Sequence, residues 1–141
     1  MKTIFLTLLM LLLPFEVFAT TDSANEIRAD LKQQVEKWNR GDIHSFVKSY
    51  NNSPNTLYVS STLFRGYHSI LKRYLTHYAN KDEMGKLSYS ILELKVLSPM
   101  YAMVVGKWHL ERAKGGDLGG VFTLLYEKTA QGWKIDVDHT S

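Results

Sequence analysis

The sequence contains no cysteine. That excludes disulfides, thiolate metal sites and a cysteine nucleophile, so the fold must rest on its core alone. The three prolines are scattered, and no repeat, low-complexity stretch or linker divides the chain. Runs of one charge are missing too. The 17 Lys and Arg against 14 Asp and Glu leave a formal net charge of +3, without the basic patch that nucleic-acid binding requires. His44, His68, His77, His109 and His139 show no metal-ligand spacing, so no metal is expected. No G-x-S-x-G or Ser-His-Asp order appears. The glycine-rich Lys114 to Gly120 has the composition of a hairpin turn, not of a phosphate loop, so no cofactor is expected.

The N-terminus has the form of a secretion signal. Lys2 supplies the positive start, Ile4 to Phe15 the apolar run, and Val17-Phe18-Ala19 the small or tolerated residues before a cleavage point. The run is shorter than the roughly 20 residues of a membrane-spanning helix, and no second stretch approaches that length. The expectation is a signal peptide over 1–19, one domain over 20–141, a periplasmic or secreted location, and no membrane association after cleavage.

Within the domain, Ser23-Ala24-Asn25-Glu26 has the S-x-x-E form of a capping box. Ile27, Leu31, Val35 and Trp38 recur behind it at helical spacing, and Gly41 is placed to end the helix. Asp42 can cap a second helix carrying Ile43, Phe46, Val47 and Tyr50. Thr56 to Ser61 suits a short strand, and a third helix follows Arg65-Gly66. From Lys86 the period changes from 3.6 to 2. Four strands are expected, over 87–97, 100–112, 121–128 and 133–139, joined by turn-rich links that favour antiparallel pairing. The order ααβαββββ predicts an α+β domain with three helices on the concave side of a curved antiparallel sheet.

Strict alternation sorts each strand into two faces. In the last strand it puts Trp133, Ile135, Val137 and His139 on one side, and Lys134, Asp136, Asp138 and Thr140 on the other. A four-residue link would set Lys128 opposite Trp133, Tyr126 opposite Ile135 and Phe122 opposite His139. Tyr101, Met103, Val105, Val121 and Leu125 make the second face unusually apolar, which points to a homodimer packed through it.

The element order, the Trp38-Asn39-Arg40-Gly41-Asp42 junction and Arg65-Gly66 before a helix containing Tyr74 together resemble one family. Gly106-Lys107-Trp108, Gly120 to Tyr126, Gly132 to Ile135 and the closing Asp138-His139-Thr140-Ser141 extend the likeness over nearly the whole domain. It resembles the cystatin-like cone of the nuclear transport factor 2 superfamily, with the small DUF4440/SnoaL-like bacterial proteins as nearest likeness. The resemblance implies a conical pocket between sheet and helices, with Trp38, Tyr50, Trp108, Phe122 and His139 in it. The fold itself carries isomerases, cyclases, dehydratases and plain binding modules. Ketosteroid isomerases use a carboxylate base and an oxyanion hole of tyrosine and neutral carboxylic acid. Alternation leaves no carboxylate on the inner faces of the last three strands, and His139 stands as the one acid–base candidate. Two readings result: a pocket protein for a small, largely apolar ligand, or a SnoaL-like enzyme with His139 as acid–base.

Overall fold

The computed structural model describes residues 15–141, with side chains described from residue 19. The expected signal segment lies mostly outside them. Helix α1 (Phe15–Asn39) runs through Ser23–Glu26 without interruption, because no proline or glycine stands between Phe15 and Arg40 to stop it. The expected capping box is therefore interior to this helix. Its buried stripe is Ile27, Leu31, Gln34 and Trp38.

The junction after α1 folds as its residues dictate. Gly41 adopts φ +81°, which reverses the chain where a β-carbon is disfavoured. Asp42 then accepts from the Ser45 amide at 2.9 Å and caps α2 (Ile43–Val47). The short strand expected after the loop is β1 (Leu57–Val59), which turns back into β2 (Leu63–Arg65), a strand too short to show alternation. Helix α3 (Tyr67–His77) and the single turn α4 (Lys81–Met84) follow.

The meander comprises β3 (Lys86–Val96), β4 (Tyr101–Glu111), β5 (Leu118–Thr129) and β6 (Gly132–Thr140), each pair antiparallel. The sheet order is β2-β1-β6-β5-β4-β3, with β1 parallel to β6. The core lies between the helices and one face of this curved sheet. Ala102, Val104 and Leu110 of β4, Phe122, Leu124 and Tyr126 of β5, and Trp133 and Ile135 of β6 all point into it.

The β5–β6 register is as expected at the turn, where Lys128 faces Trp133, Glu127 faces Lys134 and Tyr126 faces Ile135. Then it slips. Leu125 pairs with Val137, so Asp136 is an extra residue, a β-bulge. One extra residue reverses every later side chain. Asp138 consequently faces Leu124 and is buried, whereas His139 faces Thr123 and is exposed. The expected placement of His139 on the inner face, and of Asp138 on the outer one, is corrected by this single residue.

Candidate active site and cavity

A cavity of about 530 Å³ opens between the helices and the inner sheet face. Aromatic rings form a large part of its wall. Trp38, from the end of α1, is fixed by an indole hydrogen bond to the Met84 carbonyl at 3.1 Å and by edge contacts to Phe46 and Tyr78. Asn39 beside it bonds both the amide and the carbonyl of Leu87, tying α1 to β3. Phe122 fills the space that Gly106 leaves on the neighbouring strand, where a β-carbon would collide with its ring. Trp108 reaches the Ser141 carbonyl at 3.1 Å and is half-buried near the rim.

Tyr50 follows α2 and is held against β6 by the backbone. The Asn51 amide donates to the Ile135 carbonyl and the Ile135 amide to the Ser49 carbonyl, each at 2.8 Å. This aims the Tyr50 hydroxyl at Asp138, to which it donates a hydrogen bond. Thr140 donates to the other carboxylate oxygen. Tyr74 lies 2.9 Å from the Tyr50 hydroxyl. With Asp138 ionised, Tyr50 spends its proton on the carboxylate, so Tyr74 must donate to Tyr50. The three groups form a directed chain, Tyr74 to Tyr50 to Asp138.

Burial sets the electrostatics here. It raises the Asp138 pKa above the usual aspartate range, opposed by the hydrogen bonds from Thr140 and Tyr50 and by the charge of Arg73. Burial, reinforced by the Asp138 charge, pushes Tyr50 and Tyr74 well above the usual phenol range. Tyr58 is pushed up to about 12, again chiefly by burial. These tyrosines are hydrogen-bond donors at neutral pH, not bases. Arg73, on α3, stacks its guanidinium 4.1 Å over the Tyr58 ring.

Of the residues expected in the pocket, Trp38, Tyr50, Trp108 and Phe122 line this cavity and His139 does not. Alternation missed Asp138 because the bulge at Asp136 carries no composition signal. The signal that was present is the closing Asp138-His139-Thr140, where moving the inner face by one residue selects Asp138 and Thr140. Arg65 lines a separate groove with Asn52, Tyr67 and His68. A second, half-buried carboxylate, Asp30, accepts from Ser49 at 2.7 Å and Tyr126 at 3.0 Å. It does not line the cavity. Among the described residues no trio of His, Asp and Glu comes together as a metal site.

No family model and no curated protein matches the sequence. Solved structures do. The chain is similar to an NTF2-like protein of unknown function from Shewanella oneidensis, at 39% identity over 86% of this chain and 98% of that one, with a TM-score of 0.79. It therefore belongs to the NTF2-like family. It shares the fold with an NTF2-like superfamily protein from Salmonella enterica serovar Typhimurium, at 20% identity, 86% and 91% coverage and TM-score 0.70. The same holds for a ketosteroid isomerase-like protein from Erwinia carotovora atroseptica, at 20% identity, 85% and 95% coverage and TM-score 0.64.

Proposed function

We propose that this protein binds a small, largely apolar ligand in its cavity. The observation that carries this reading is the lining itself: a continuous aromatic and aliphatic wall with a few convergent polar groups, the usual make-up of a small-molecule site. A volume of about 530 Å³ suits a ligand of drug-like size. The test is a titration with the neutral solvatochromic dye Nile red. Saturable one-to-one binding is expected, lost in a Leu124→Trp variant that fills the cavity and keeps its circular dichroism. Equal binding by that variant overturns the reading.

A second reading, acid–base chemistry on the bound ligand, is favoured by one observation: Asp138 is a buried carboxylate on the cavity wall, partnered by a tyrosine. Burial raises its pKa above the usual aspartate range, which makes it a stronger base than a solvated aspartate. It takes the role the sequence assigned to His139. Two-carboxylate isomerase chemistry needs a second acid in the site, and among the described residues Asp138 is the sole Asp or Glu lining it. Binding therefore stands first. The enzyme reading requires solvent deuterium to enter a cyclic ketone probe beside its carbonyl, at a rate lost in Asp138→Asn. No exchange above the buffer rate sinks it.

We also infer export, supported by Lys2, the apolar Ile4 to Phe15 run and Val17-Phe18-Ala19. Removal of 1–19 brings Ser23-x-x-Glu26 near the new start of α1, where the box can cap it. N-terminal sequencing of the protein recovered outside the cytoplasm should begin at Thr20. An intact N-terminus there overturns the assignment.

A further inference from the structure

The cavity's unmet hydrogen-bonding capacity is of one kind. Gln34, only 1% exposed, lines its depth and leaves its Nε2 amide donor buried without a partner among the described residues. Arg73 lines the same cavity beside the exposed His77 and Ser61, and its Nη1 is also buried and unpartnered among the described residues. Both orphan atoms are donors. A buried donor left unpaired is costly, and for a guanidinium the cost is larger because the group is charged.

Neither donor is satisfied by a neighbouring side chain. Both Asp138 oxygens are engaged, by Tyr50 and Thr140, and Arg73 forms no ion pair with Asp138 within 4 Å. The guanidinium is meanwhile held by stacking: its carbon lies 4.1 Å from the Tyr58 ring centre, 5.3 Å from that of Tyr74 and 5.6 Å from that of Phe64. Three rings remove water from the cation and fix its direction. A preorganised, partly desolvated cation at the mouth of an apolar cavity is built to meet an anion.

We infer that the ligand is an amphipathic organic acid, its carboxylate on Arg73, its apolar body along the aromatic wall, and an acceptor oxygen at its far end on Gln34. The charge count selects the head group. Among the described residues Arg73 is the only Lys or Arg lining the cavity, and Asp138 lines it too. A monoanion matches one guanidinium. A phosphate dianion would meet too few donors and a nearby carboxylate. This inference rests on the cavity being a ligand site and specifies what occupies it.

The test compares dodecanoate, its methyl ester and its omega-hydroxy derivative by competition with bound Nile red, on the full domain and on Arg73→Gln and Gln34→Leu. Dodecanoate should bind at least tenfold tighter than the ester, roughly the value of one charge-assisted hydrogen bond. Arg73→Gln should abolish that preference while keeping affinity for the ester, which controls for folding. The omega-hydroxy acid should bind more tightly than dodecanoate, with the advantage lost in Gln34→Leu. Acid and ester binding alike to the wild type overturn the assignment of Arg73 and leave the pocket reading intact. An omega-hydroxy acid no better than the plain acid removes the Gln34 contact. Failure of every probe, Nile red included, overturns both readings.

Discussion

Asp138 concentrates the chemistry of the site because a carboxylate has been taken out of water with only hydroxyl partners. Burial raises its folded-state pKa above the value of about 3.9 expected for an unfolded aspartate. The stability it contributes is therefore full below that unfolded value and is lost as pH rises through the folded one. Asp30 is raised for the same reason and acts in the same direction. Asp138→Asn keeps an acceptor for Tyr50 and cannot ionise. Its melting temperature relative to wild type should rise as pH increases above about 3.9, and the pH dependence that Asp30 gives is common to both proteins and cancels from that difference. Parallel stability curves for the two proteins would contradict the buried, hydrogen-bonded carboxylate. A different residue tests the wall. Gly106→Ala must push the Phe122 ring aside, so it should cost about 1–3 kcal/mol in chemical denaturation and weaken Nile red binding. Unchanged stability and binding would mean that the ring has room to move.

At the scale of elements, much of the fold was legible because most elements obey one period. Ile27, Leu31 and Trp38 repeat at helical spacing and are all buried. The alternation of β4 puts Ala102, Val104 and Leu110 inside. Asp42 both favours and forms the cap of α2. Strand β2 and the turn α4 are too short for either period to show; β2 is placed by pairing with β1, and α4 is held by local caps, Asn80 accepting from the Glu83 amide and Glu83 from the Ala79 amide. The site was less legible than the fold for a related reason. Trp38, Tyr50, Trp108 and Phe122 extend regular patterns into the cavity, whereas Asp138 reaches it only through an irregularity. A bulge is decided by pairing between two strands, and here the parallel partner β1 also fixes β6, with Tyr58 beside Asp138. Deleting Asp136 tests this directly. Restored alternation would carry Asp138 outward and bring His139 to the core, or else break the pairing with β1. Either outcome should unfold the protein at lower denaturant and abolish ligand binding. A deletion variant with wild-type stability would show that the bulge does not set the face of Asp138.

At the scale of the whole molecule, one face of the sheet is covered by helices and the cavity, and the opposite face carries apolar residues over which no described helix or strand packs. Met103, Leu125 and Val137 lie side by side on three adjacent strands of that outer face. Val121 is 48% exposed and Tyr101 41% exposed on the same side. Five such residues on one sheet face form a patch of the kind that marks an interface, and a self-complementary patch closes most simply as a twofold dimer. We propose that arrangement for this chain. Light scattering coupled to size-exclusion chromatography should give twice the monomer mass at micromolar concentration. A Tyr101→Lys, Val121→Lys double variant should shift the dissociation constant upward by at least about tenfold. Both positions are substantially exposed, so the isolated fold should change by no more than about 0.5 kcal/mol for each. That separates a lost interface from lost folding: the variant should keep its cavity and bind Nile red as a monomer. A wild-type protein that elutes as a monomer at these concentrations would remove the dimer, and the outer face would then be an apolar surface open to another partner.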